Sequence, residues 1–328
     1  MTNPLSPAVE LVRRYGGPVS HAALNPSLSL FRTPNIDGVI GYQLVHRCAV
    51  VQGDPVCASE YKTELAEAFA SYCTNNGWNF LYTSVTEDMH TYAMKGGHAM
   101  MEFAALLIAD PQDDPELGHQ GHHLRQHLNN TRRSGMSVRE YLGETSPNVQ
   151  VEAQVAETCE QWLKARHGLQ MYLDHPRLFD DRVGRRWFIA EHNGRVVGML
   201  SMLKIGCFEC DYLINHVFSS PVAPLYTNEL LIVTALQALR KEDIKAVCLG
   251  VGPLEMLGQI EGTDSFTEFL SRRLYQLASR ILNLKGRTEC WDKFHITGKE
   301  PMYLVFQSSR ISLREIIALF RALNFSIT

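Results

Sequence analysis

Two apolar runs, Trp187–Glu191 and Val196–Leu203, flank the tetrapeptide His192-Asn193-Gly194-Arg195. This is the tightest constraint on the fold. Asn-Gly supplies the two positive-φ residues of a primed turn, whose twist matches that of paired antiparallel strands. A chain carrying this signal builds an antiparallel sheet at that point. The neighbouring segments then decide what surrounds it. Val151–Arg166 and Glu229–Arg240 repeat apolar residues at helical spacing, whereas Phe208–Ile214 and Ala246–Leu249 are short apolar runs of strand length. Strands that feed strands therefore mix with strands that feed helices, which is the pattern of an α+β protein.

The first half reads the same way. Val39–Val51 is β-branched and apolar and ends at Gln52-Gly53-Asp54-Pro55, so one or two strands are expected there. Tyr61, Leu65, Phe69 and Tyr72 recur at helical spacing before Gly77, and Phe80–Val85 is the next strand. Thr86 is placed to cap a helix whose first turn holds Glu87 and Asp88 and which ends at Lys95-Gly96-Gly97. Phe103–Ile108 is a buried strand, and Met136–Tyr141 is read as the last strand of this half. Helix 265–283, strand 302–307 and helix 312–323 close the chain. With Thr145-Ser146-Pro147 as the junction, two related domains are expected, 1–146 and 147–328.

At 328 residues, 45% hydrophobic and 20% charged, the chain has the composition of a globular protein and not of a disordered scaffold. A formal net charge of −4 argues against indiscriminate coating of nucleic acid. Met1–Gly17 has no apolar core of signal-peptide length, and charges interrupt every apolar run before it reaches spanning length. A cytoplasmic protein is expected. The eight cysteines are scattered through strands and helices, which fits reduced thiols and no disulfide framework. Cys207-x-x-Cys210 has no second pair at zinc spacing and reads as two strand cysteines. No metal is expected. His119, His122, His123 and His127 have no acidic partner to complete a zinc site.

Against the acidic background, Leu124–Gly135 is a short basic helix closed by glycine. His122, Arg125, Asn129, Arg132 and Arg133 fall on or near one face, and Leu124, Leu128 and Thr131 on another that can pack. Two readings stand. Arg132 and Arg133 complement the negative end of the helix dipole with Gly135 in the left-handed position, or the basic face holds an anionic ligand.

An ordered series of segments resembles the C-terminal domain of the lysyl- and alanyl-phosphatidylglycerol synthases, the multiple peptide resistance factor family. It comprises Val50–Pro55 with its Gly-Asp-Pro turn, Tyr92–Gly97, the helix Leu124–Gly135, Asp211-Tyr212-Leu213, Leu249–Leu254, Leu284-Lys285-Gly286, Trp291–Phe294 and Pro301–Leu304. The chain departs from the family at Gly97-His98-Ala99-Met100, Ile214 and Met302. The resemblance spans roughly residues 40–307 and implies tandem GNAT-like acyltransferase domains, each a mixed, largely antiparallel sheet flanked by helices. It further implies transfer of an amino acid from aminoacyl-tRNA to a hydroxyl of a phosphatidylglycerol-like lipid, without a cofactor, by a freestanding version of the domain that meets the inner face of the membrane peripherally.

On that reading Asp211 is the candidate base or the group that orients the aminoacyl amine, and Lys293 stabilises developing negative charge or grips the terminal phosphate. A backbone-satisfied buried aspartate and a surface lysine are the plain alternatives. Arg125, Arg132 and Arg133, with Asn129 between them, contact phosphate; Gly250 and Gly252 allow close backbone approach; His295 adjoins Lys293. Two other functions remain open. One is a transferase that uses acyl-coenzyme A or resembles the Fem peptidoglycan enzymes, although no pyrophosphate loop is evident. The other, favoured by Ile214 and Met302, is a non-catalytic binding module.

Overall fold

Apolar runs bounded by turn residues become strands, and the amphipathic segments between them cover the two faces. The structure is a computed structural model describing residues 6–165, 169–170, 176, 178–205, 210–281, 284, 290–323 and 326–327. In chain order it begins with α1 (Ser6–Tyr15), β1 (Ser29–Thr33), β2 (Ile36–Val45), β3 (Cys48–Gln52), α2 (Lys62–Asn75), β4 (Asn79–Val85), α3 (His90–Lys95) and β5 (Ala99–Ala109). There follow α4 (His122–Arg133), β6 (Ser137–Tyr141), α5 (Val149–Ala165), β7 (Leu169–Gln170), β8 (Arg185–His192), β9 (Arg195–Lys204) and β10 (Tyr212–Ser219). The chain ends with α6 (Thr227–Lys241), β11 (Val247–Pro253), β12 (Ile260–Glu261), α7 (Ser265–Ile281), β13 (Ile296–Phe306), α8 (Leu313–Ala322) and β14 (Ser326–Ile327).

Twelve strands form one continuous sheet in the order β1-β2-β3-β4-β13-β5-β11-β10-β9-β8-β6, with β12 beside β5; β7 and β14 pair separately. The order repeats on either side of the central β13/β5 pair. Moving outward, β4 and β11 are antiparallel to their central neighbours, β3 and β10 are parallel to β4 and β11, and the next strands are antiparallel again. Each half has therefore given its last long strand to the other. β13, from the end of the chain, lies between β4 and β5, and β5 completes the sheet of β11. β6, expected to end the first half, instead pairs with β8 at the far edge of the second. Its partner is the hairpin strand whose outer edge is otherwise open.

Local signals explain the elements. Asn193 and Gly194 both have positive φ, 50° and 75°, and His192 pairs with Arg195, so the primed turn sits where Asn-Gly placed it. Thr86 accepts a hydrogen bond from the Asp88 N–H, and Gly97 closes α3 at φ 66°. Strand β10 starts at Tyr212; Cys207 and Phe208, read as part of it, lie outside the described residues. In the first half α2 and α3 cover one face and α8 the other; in the second, α4 and α6 cover one face and α5 the other. Helix α6 is the best buried, with Leu231, Val233, Leu236 and Leu239 fully inside. Each such side chain contributes about 1.5–3 kcal/mol relative to exposure.

Candidate functional site

Parallel strands β10 and β11 separate early. They pair only at Tyr212–Val247 and Leu213–Cys248, whereas the equivalent strands β3 and β4 stay in register over five pairs, from Cys48–Asn79 to Gln52–Thr83. The first junction is also stitched beyond its end, because Asp54 accepts hydrogen bonds from the Thr86 N–H at 2.9 Å and the Thr86 hydroxyl at 2.6 Å. The second opens. Two irregularities flank the opening: Asn215 is an extra residue in β10 between Ile214 and His216, and β11 shifts register between Cys248 and Gly250. Bulges of this kind bend a strand and re-aim its side chains.

The opening is a cavity of about 330 Å³. Leu213, Asn215 and His216 wall it from β10, Gly250 and Val251 from β11, and Phe103 and Leu106 from β5. Both halves contribute, since Ser84, Val19 and His21 also line it. Gly250 has φ 118°, a conformation that a residue with Cβ rarely adopts, and it leaves open space on the cavity side. Gly252 plays a different part: a Cβ there would lie 2.8 Å from Leu107 Cδ1, so this glycine lets β11 pack on β5.

The structure does not bring Asp211 and Lys293 together. Asp211 precedes β10, is exposed, and meets Ala246 and Ile205 through its backbone only. That is the end of the sheet where α6 finishes. Lys293 pairs at 3.0 Å with Glu229 in the first turn of α6. The apolar run around Asp211 suggests a central strand, but the strand begins one residue later and points its first polar side chains at the cavity from Asn215 and His216. Those two residues escape a reading of the sequence because a bulge leaves no periodic signal. Ile214 and Met302, two of the three departures from the family pattern, are both core residues, and Ile214 also lines the cavity.

Lys293 belongs to a surface cluster next to α4. Its ammonium lies 5.7 Å from the centroid of Tyr226, and that ring stacks on His127 at 4.1 Å and 11°. Burial works to lower the Lys293 pKa, but its hydrogen bond to Glu229 and the carboxylate charge outweigh burial and raise it, so the group stays cationic. Thr131 donates to the Leu225 carbonyl at 2.8 Å, which fixes α4 against the start of α6. Gly135 sits in the left-handed conformation at φ 89°, as expected past a helix end.

Only part of the basic face of α4 is free. Glu116, from the loop after β5, takes both Arg132 nitrogens at 2.9 and 3.0 Å, and Arg125 donates to the Glu116 carbonyl. Arg132 also donates to Asn129 Oδ1 at 3.1 Å. Arg133 is exposed and has no ion-pair partner among the described residues; with His122, Gln126, Asn129 and Asn130 it forms the solvent side of the helix. His295 pairs with Asp113 at 3.1 Å, away from the cavity. Among the described residues no three His, Cys, Asp or Glu side chains are grouped to hold a metal ion.

A second hollow adjoins the first. It measures about 600 Å³, runs between α7 and α8, and is lined almost entirely by apolar side chains such as Met101, Leu257, Leu274, Leu277, Ile281 and Phe320. Phe103, Pro253, Leu284 and Leu323 line both hollows, so the groove and the cavity are neighbours across one wall of side chains. Helix α7 also turns an apolar face outward: Phe266, Phe269, Leu277 and Ile281 are each more than half exposed. Tyr275 ties the helix down by donating to the carbonyls of Phe103 and Leu254. Among the described residues no helix is long and apolar enough to cross a membrane.

A doubled unit of mixed sheet flanked by helices, with a parallel pair splayed over a cavity, is an α+β architecture that solved structures share. The family model described as phosphatidylglycerol lysyltransferase, C-terminal, matches residues 9–306, and the chain belongs to that family of aminoacyl transferases. The structure of L-PGS from Bacillus licheniformis superposes with a TM-score of 0.80 at 17% identity, covering 98% of this chain and 97% of that one. The C-terminal domain of a putative lysylphosphatidylglycerol synthetase from Agrobacterium fabrum gives 0.78 at 16% identity, over 98% and 96%. A conserved protein from Bacteroides thetaiotaomicron shares the fold more distantly, with a TM-score of 0.52 at 10% identity, over 85% and 84%. No curated protein sequence matches.

Proposed function

We propose that the chain moves an amino acid from aminoacyl-tRNA to a hydroxyl of phosphatidylglycerol or a lipid with a similar headgroup. The observation that carries this reading is the adjacency of the splayed cavity to the apolar groove between α7 and α8. A headgroup hydroxyl reaches the cavity while acyl chains occupy the groove. The donor is an activated ester, so the protein has to orient it, relieve the attacking hydroxyl of its proton and steady the oxyanion. The cationic and aromatic cluster of Lys293, Tyr226 and His127, beside the free face of α4 with Arg133, supports a nucleic-acid donor. Phosphates meet the cations, and a terminal base has a ring to stack on.

The test is transfer of radiolabel from bulk tRNA, charged with a mixture of amino acids, to phosphatidylglycerol vesicles. Labelled lipid that depends on the protein is the expected product; its absence would overturn the reading. The double variant Arg133→Ala with Lys293→Ala should bind charged tRNA more weakly. Its log K against log salt should be shallower by roughly 0.7–0.9 for each phosphate that the variant no longer neutralises.

A further inference from the structure

His216 stands outside the hydrophobic clusters, at the wall of the cavity. The bulge at Asn215 breaks the alternation of β10, and the four successive residues Leu213, Ile214, Asn215 and His216 all line the cavity, the last two with polar side chains. The Nε2 atom of His216 is shielded from solvent and has no hydrogen-bond partner among the described residues. Buried polar atoms are nearly always paired, and one left unpaired at a cavity wall marks a place where a ligand completes the bonding. Ser201, directly opposite on β9, likewise keeps a buried hydroxyl without a partner among the described residues.

We infer that His216 is the general base of the transfer: Nε2 takes the proton of the acceptor hydroxyl as its oxygen bonds to the ester carbonyl carbon. The same nitrogen returns that proton to the ribose oxygen as the ester C–O bond breaks, so the ring ends as it began and no other reactant is consumed. This assignment rests on the aminoacyl-transfer reading above. The environment keeps the imidazole neutral, with its lone pair free to accept, though as a weaker base than an ordinary histidine. Burial, and then the positive charge of Arg185 on β8, lower its pKa to about 4. Among the described residues the other titratable group lining the cavity is His21, on the 3-10 turn Ser20–Leu24; the facing residues of β5 and β11 are apolar.

With charged bulk tRNA and phosphatidylglycerol vesicles, His216→Gln should lower kcat by about 100-fold or more, the usual contribution of a general base. Its melting temperature and its affinity for charged tRNA should match those of the unaltered protein. The unaltered protein should hold kcat level between about pH 7.5 and 5.5, because a base with a pKa near 4 stays unprotonated throughout. An ordinary histidine would instead lose most of its activity over that range. A His216→Gln kcat within threefold of the original overturns the assignment while leaving the transfer reading intact. Absence of product from the unaltered protein overturns both. Nitrogen-15 NMR of the unaltered protein adds a readout free of activity and of any variant. A neutral ring with its proton on Nδ1 at pH 7 is expected, and a protonated ring or a proton on Nε2 would overturn the assignment.

Discussion

Glu116 decides which arginines of α4 remain available. By holding Arg132 in a bidentate pair and drawing Arg125 to its carbonyl, it converts half of a basic face into scaffold and leaves Arg133 outside. The Arg132 pKa is raised, first by its hydrogen bond to Glu116, so this pairing does not open in the neutral range. A second carboxylate makes the molecule acid-sensitive. Glu152 takes Arg182 at 2.7 and 2.8 Å and the Tyr141 hydroxyl at 2.7 Å, and its pKa is lowered chiefly by the Arg182 hydrogen bonds. A carboxylate whose folded pKa lies below its unfolded value stabilises the fold above the unfolded value, near 4.3, and that contribution disappears as pH falls through the lower folded one. Chemical denaturation between pH 6 and 3 should therefore show Glu152→Gln less stable than the original at pH 6, with the difference shrinking towards pH 3. The residue scale is also where the sequence says least. Helical spacing predicts the face that carries Arg125, Arg132 and Arg133, but the acidic loop that folds back onto it lies nine or more residues away and has no periodicity. Asn215 and His216 are hidden for a related reason, since one extra residue in a strand cannot be told from an ordinary one until its partner strand is known.

Elements are more legible. The Asn-Gly hairpin, the Thr86 cap, the glycine that ends α4 and the helix at 265–281 all follow from interactions within a few residues, and local chemistry is enough to read them. What local chemistry does not reveal is which faces remain uncovered. Helix α7 reads as an ordinary amphipathic helix, yet of its residues only Thr267 is buried, while Phe266 and Phe269 are 74% and 57% exposed. The Phe266 and Phe269 part of its apolar face is open to solvent, and Arg273 lies over the Phe269 ring at 5.3 Å. Arginine beside exposed aromatic and aliphatic side chains suits the interface of an anionic bilayer. Sedimentation with phosphatidylglycerol vesicles should show this: Phe266→Ser with Phe269→Ser should pellet much less than the original. Because both side chains are already exposed, the melting temperature should stay within about a degree or two. Equal pelleting of the two proteins would show that Phe266 and Phe269 do not bind the vesicles.

At the scale of the whole molecule, neither half closes its own sheet. β13 and β5 lie side by side along their length, each completing the half that did not produce it, and β6 extends the second half from the first. A sequence boundary marks where composition changes, and pairing between strands far apart along the chain leaves no trace in composition. The pattern of strands and helices is readable on this scale, whereas the exchange of strands is not. A chain ending at residue 290 would lack β13, leaving β4 and β5 with facing unpaired edges in the middle of the sheet. It should show no cooperative thermal transition by circular dichroism, even though most of its residues are present; a sharp transition near that of the full chain would show that the halves are independent. The exchange also imposes an order on synthesis. Tyr303 pairs with Val85 across more than two hundred residues, so the edge of β4 must wait, unpaired, while most of the polypeptide is still being translated. During that interval the nascent chain exposes a strand edge able to join another copy, which makes the pace of translation and the presence of chaperones part of how this protein reaches its native state.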